Sequence, residues 1–157
     1  IQDSIQIYEA MVKTGNDVLD TILTEKSLAC KENDIVFSCV ADGKGLEFLH
    51  PIDLYTIFGN AMDNAIECVK NLQKQEKRQI DVLIHRQHQF LIVQIMNPVE
   101  EELEFEDNLP VTTKHDKAYH GYGLRSIKNS VKKYNGVFQV KIKDGCFCLK
   151  ILFPIKE

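Results

Sequence analysis

The stretch Asn60-Ala61-Met62-Asp63-Asn64-Ala65-Ile66-Glu67 decides how this chain is read. On a helix, Asn60, Asp63, Asn64 and Glu67 fall at i, i+3, i+4 and i+7 and share one polar stripe, while Leu54, Phe58, Ala61, Ala65, Val69 and Leu72 take the opposite side. One face packs and the other reaches outward. A solvated stripe ordinarily uses Lys, Glu, Gln or Arg; a mid-helix Asn costs about 0.6 kcal/mol against Ala, because its short amide competes for backbone groups. Two on one side suggest that the amide itself is wanted. Its oxygen is a neutral hard ligand, able to join phosphate oxygens around Mg²⁺. The plainer alternative is an amide that caps a turn or meets water.

Working outward, Pro51 suits a first helical turn and Asp53 places negative charge at the positive helix end, so the helix is expected from Pro51–Asp53 to about Gln75. Gly59 inside it suggests that something approaches the backbone closely. Before it, one helix is expected to end near Lys13 and a second to run from about Asn16 to Lys31, with Gly15 as the joint. Ile35 to Val40 reads as a strand. Gln79–Arg86 and Gln89–Met96 read as a hairpin, as do Val137–Lys143 and Cys146–Phe153 around Asp144-Gly145. Between the hairpins, Pro98 to Tyr122 has little periodicity and holds an acidic run from Glu100 to Asp107, the pattern of a lid. A last helix is expected from about Gly123 to Tyr134. The order predicts a two-layer α/β sandwich: a mixed, mainly antiparallel sheet with helices on one face and a long lid.

His120-Gly121-Tyr122-Gly123-Leu124 closes that loop. Read as preceding the last helix, Gly121 and Gly123 would aim backbone N–H groups into its positive end, an anion cradle, with Lys114, Lys117, His120 and Arg125 as nearby cations.

The bulk numbers frame this reading. A chain of 157 residues, 44% hydrophobic and 27% charged, suits one globular domain. Its net charge of −4, with no basic stripe, argues against a nucleic-acid partner. Cys30, Cys39, Cys68, Cys146 and Cys148 form no Cys-x-x-Cys pair and are odd in number, which favours reduced thiols in a cytoplasmic setting. Cys146 and Cys148 should share a strand face, as apolar thiols more readily than as a metal pair. The longest apolar run, Phe90 to Ile95, is far short of the ~20 residues of a membrane span. The chain opens on Ile1, not Met, which reads as a piece of something longer.

Together these motifs resemble the ATP-binding domain of the GHKL superfamily, shared by sensor histidine kinases, gyrase-type topoisomerases, Hsp90 chaperones and MutL, over roughly Asn16 to Phe153. Asn60–Glu67 resembles its N box and Gly121–Leu124 its G2 box. The run Leu109-Pro110-Val111-Thr112-Thr113-Lys114, followed by His120 to Ile127, is most similar to peptide-sensing histidine kinases of the Agr quorum-sensing type. The resemblance implies ATP and Mg²⁺ as ligands, with Asn64 on the metal, Asn60 as a second polar contact, and Lys114, His120, Gly121, Gly123 and Leu124 about the phosphates. The chain departs from the superfamily at the adenine box. Where an Asp-x-Gly-x-Gly pattern is usual, it reads Asn97-Pro98-Val99, so Asn97 becomes the adenine contact through its side-chain oxygen.

Asn60 also stands where the ATP-hydrolysing relatives carry a Glu that activates water, and an amide cannot accept that proton. Rapid hydrolysis is disfavoured, whereas phosphoryl transfer depends more on positioning. The resemblance implies a histidine acceptor on dimerising helices outside this chain, a response regulator downstream, and a membrane-bound homodimeric parent of which this is a cytoplasmic domain. Residues 1–14 would be the remnant of the second dimerisation helix and 15–157 the catalytic domain. Two rivals share the pocket: a non-catalytic, nucleotide-gated interaction module, and a Ser/Thr kinase of the anti-sigma type.

Overall fold

The computed structural model describes residues 11–100, 105–106, 109–110 and 117–155, with side chains described outside 105–121. Its elements run α1 (Asp17–Glu32), β1 (Val36–Ala41), α2 (Pro51–Leu54), a π turn (Tyr55–Gly59), α3 (Asn60–Lys70), β2 (Gln79–Gln87), β3 (Phe90–Pro98), β4 (Phe105–Glu106), β5 (Leu109–Pro110), α4 (Lys117–Lys132), β6 (Val137–Lys143) and β7 (Cys146–Pro154).

Five strands form one sheet in the order β1-β2-β3-β7-β6. Only β1 and β2 are parallel; the other pairs are antiparallel. Strand alternation sends Ile80, Val82 and Ile84, Leu91, Val93 and Ile95, and Phe147, Leu149, Ile151 and Phe153 to one buried face. Against it pack Leu19, Ile22 and Leu23 of α1, Ala61, Ala65 and Val69 of α3, and Leu124, Ile127 and Val131 of α4. The α/β sandwich with a mixed, mainly antiparallel sheet is therefore the observed fold. Cys146 and Cys148 share the opposite sheet face, half-buried, and desolvation holds both thiols above their ordinary pKa.

Local chemistry explains the elements. The Asn16 side chain accepts the Leu19 N–H at 3.1 Å and starts α1. Just before it, Gly15 takes φ +99°, and the Thr14 hydroxyl donates to Asp20 at 2.6 Å, which fixes the joint. Asp144 (φ 53°) and Gly145 (φ 73°) make the tight turn between β6 and β7 that their pairing predicts.

Four expectations are corrected. Met11 to Lys13 are not helical, so no helix reaches Lys13; the rest of that expected helix lies outside the described residues. The central helix ends at Lys70 rather than Gln75, because Arg78 turns back and donates to the Leu72 carbonyl at 3.0 Å. The interval between the hairpins is not without structure: β4 pairs with β5, and α4 begins at Lys117, well before Gly123. Finally, a Cβ placed on Gly59 would meet nothing within 4 Å among the described residues outside its own helix, so no packing contact there explains that glycine.

Candidate functional site

The central helix carries the site. Leu54, Phe58, Ala61, Ala65, Val69 and Leu72 are all buried, as the stripe requires. Ile57 and Met62 are buried as well, since α1 and α4 pack on its flanks and narrow the polar edge. Immediately before Asn60 the helix widens into the π turn Tyr55–Gly59. Such turns insert one residue into an α-helix and are frequent at functional sites.

Asn60 is half-buried. Its Nδ2 donates to the Thr56 carbonyl at 2.7 Å, which holds the amide in one orientation and turns Oδ1 toward α4. There it meets the second motif: a Cβ on Gly123 would lie 3.3 Å from Asn60 Oδ1. The two motifs, far apart in the chain, are joined at a helix crossing where a side chain on Gly123 would be held tighter than ordinary contact. Leu124, 1% exposed, anchors the same crossing in the core.

Asn64 departs from the outward reading. At 9% exposure it is nearly enclosed, yet among the described residues its amide has no hydrogen-bond partner. Nearby carboxylates are neutralised: Lys26 of α1 donates to Asp63 Oδ1 at 2.7 Å, and Lys70 pairs with Glu67 at 2.8 Å. The polar edge thus offers amides without bare negative charge, a surface that an anion can approach.

Gly121 and Gly123 lie inside α4 rather than before it. The sequence reading began the helix at about Gly123, but the helix is already under way from Lys117. The free N–H groups of its first turn therefore belong to Lys117–His120, and the cradle expected of Gly121 and Gly123 is replaced, for Gly123, by close contact with Asn60. Lys114 lies outside the described residues, as do the side chains of Lys117 and His120; Arg125 is exposed.

Asn97 ends β3 on the helix-facing side, 1% exposed. Its Nδ2 donates to the Pro98 carbonyl at 3.1 Å, and its Oδ1 is buried with no donor. Leaving a buried acceptor unmade costs about 1–3 kcal/mol, so an orphan of this kind fits a site whose partner arrives with a ligand. Because the amide orientation is set by Pro98, what the position lacks is a donor.

Sequence reasoning missed a polar cluster at the helix start. Asp53, read as a charge at a helix end, is 6% exposed and accepts hydrogen bonds from the Tyr134 hydroxyl and from Lys133 Nζ at 3.1 Å. The Tyr134 hydroxyl bond, followed by Lys133, holds the Asp53 carboxyl below its ordinary pKa against the opposing effect of burial. Burial, and then Asp53, raise the Tyr134 phenol. No spacing rule pairs an Asp and a Tyr so distant in the chain.

Comparison with known proteins agrees with this architecture. A family profile described as "GHKL domain" matches residues 49–154. The chain belongs to the GHKL family. A search of curated proteins finds no match. Among solved structures, the catalytic domain of histidine kinase ThkA superposes with a TM-score of 0.67 at 14% identity, covering 90% of this chain and 93% of that one. The Acinetobacter baumannii histidine kinase AdeS gives 0.61 at 12% identity, covering 90% of this chain and 64% of that one. At such identities the likeness is one of fold.

Proposed function

We propose that this chain is the ATP-binding catalytic domain of a two-component sensor histidine kinase, of the Agr type, that transfers the γ-phosphoryl group of Mg·ATP to a histidine supplied from outside these residues. The observation that carries the reading is the crossing of Asn60 and Gly123, which brings the amide helix and the glycine motif together. In this reading Asn64 holds the metal through its nearly enclosed amide. Asn60 Oδ1, fixed by Thr56, makes a second polar contact. Asn97 Oδ1 accepts from the adenine amine, and Lys114, His120 and Gly121 approach the phosphates with Gly123 and Leu124 shaping the wall.

No described carboxylate is free to activate water on the amide edge, since Asp63 and Glu67 are both paired. The site therefore serves transfer by positioning and electrostatic stabilisation, not hydrolysis. In the transfer, the bond from the γ-phosphorus to the bridging oxygen breaks, ADP leaves with that electron pair, and the histidine nitrogen forms the new bond as its proton departs. The dimerisation helices, a response regulator and a membrane-bound homodimeric parent follow as partners and setting. Among the described residues no helix is long and apolar enough to cross a membrane.

The test is calorimetric binding of ATP with and without Mg²⁺ to the natural chain and to Asn64→Ala, followed by [γ-³²P]ATP labelling after the acceptor helices are supplied. Mg²⁺-dependent binding lost in the variant, and an acid-labile phosphoprotein, are expected. Absence of binding in both proteins favours the non-catalytic module, and an acid-stable product favours a Ser/Thr kinase.

A further inference from the structure

Asp53, Lys133 and Tyr134 tie the start of the amide helix to the chain just beyond α4. The His50 backbone N–H donates to the Tyr134 hydroxyl oxygen at 3.0 Å, and that hydroxyl donates on to Asp53 Oδ2. Lys133 completes the carboxylate at 3.1 Å, and His50 Nδ1 accepts the Ile52 N–H at 3.1 Å, capping α2. The Tyr134 ring is fixed edge-on to Phe48 and Phe153, with centroids 5.8 and 6.2 Å away. Every group in the relay has a partner, so Tyr134 is held at both ring and hydroxyl.

The same two segments meet again at Asn60 and Gly123. Between the contacts lies the π turn, Tyr55–Gly59, whose additional residue rotates everything before it by about 100° relative to an unbroken α-helix. On an unbroken α-helix Asp53 and Asn60, seven residues apart, would project only about 20° apart; relaxing the turn would change their relative direction by about 100°, so the two contacts seen here could not both be kept. The two contacts are therefore conditional on one another: the relay preserves the π turn, and the π turn aims Asn60.

We infer that Asp53, Lys133 and Tyr134 form a positioning clamp that locks the π turn and thereby sets the Asn60 amide against Gly123 for the metal-bound phosphates. They are positioning residues, acting through Asn60. The inference rests on the nucleotide reading above for its consequence in binding, though not for the coupling itself.

The experiment uses Tyr134→Phe, which keeps the ring and removes the hydroxyl, and Lys133→Ala as a second variant should the first fail to fold. Val140→Ala, in β6, serves as a control that loosens the core elsewhere. Backbone ¹⁵N–¹H resonances are recorded without ligand, and dissociation constants are measured for Mg·ATP and for adenosine. Resonances of Asn60, Asn64 and Gly123 should move in the clamp variants and not in the control. Affinity for Mg·ATP should fall by about tenfold or more, as expected for a misplaced positioning group, while that for adenosine is unchanged. A merely structural residue would lower the melting temperature and leave the ratio of the two affinities alone. Unmoved resonances at Asn60 and Gly123 in a folded variant overturn the clamp. If the natural chain binds no Mg·ATP, the nucleotide reading fails, and the clamp is decided by the resonances alone.

Discussion

Replacing Gly123 by Ala tests whether the crossing of the two motifs is the working geometry. The added methyl would sit 3.3 Å from Asn60 Oδ1, 3.6 Å from Cγ and 3.7 Å from Cβ, so the first contact is tight and the others ordinary. The Asn60 side chain must give by a few tenths of an ångström. It is not free to do so, because its Nδ2 is bonded to the Thr56 carbonyl at 2.7 Å. Two stability effects then oppose each other. Gly to Ala within a helix stabilises by about 0.8–1 kcal/mol, whereas straining or losing the Asn60 bond costs about 0.5–1.5 kcal/mol. Global stability should change by less than about 1 kcal/mol in either direction. Binding has no such offset: displacing Asn60 should weaken Mg·ATP by about 1.4 kcal/mol, a factor of ten. Urea denaturation and titration calorimetry on the same preparation separate the two. Unchanged affinity together with an unmoved Asn60 amide resonance would refute the reasoning, since the glycine would then serve helix packing alone.

Asn97→Leu removes the orphaned Oδ1 at the cost of the bond to the Pro98 carbonyl; stability measured by denaturant should stay level or rise by about 1 kcal/mol, while adenine nucleotide binding disappears. Gly59→Ala places its methyl in open space at helical φ, and thermal melts should show a gain of about 0.5–1 kcal/mol. Because the folded pKa of Asp53 is lowered, its contribution is complete above the ordinary carboxylate value of about 3.9 and is lost as pH falls through the folded value. Asp53→Asn should therefore be less stable than the natural chain at neutral pH but lose less stability on acidification, read from denaturation midpoints between neutral and acid pH. The raised Tyr134 phenol works at the other end: its contribution is complete below about pH 10 and lost above it, so Tyr134→Phe should flatten the alkaline limb.

Much of the layout was legible because it is written in periodicity and turn chemistry. The alternation of β2, β3 and β7, the Asp144-Gly145 turn, the Gly15 joint and the buried side of the amide helix each depend on neighbours in sequence. The amide stripe was visible for the same reason, since residue choice on a helix edge is local. The start of α4 was placed several residues late, and the space around Gly59 could not be inferred from the residue itself.

The chain by itself determined which residues line a helix edge, where turns fall, and that two amides and two glycines stand where ordinary helix formers would be expected. Only tertiary structure decided that Asn60 faces Gly123, that Asn64 is nearly enclosed, that Asn97 keeps an unmet acceptor, and that Asp53 is buried against Tyr134. The reason is physical: periodicity reports the direction of a side chain relative to its own backbone, whereas burial and partnership depend on how helices cross on the sheet. Here a π turn, whose extra residue no propensity scale announces, lies immediately before that crossing.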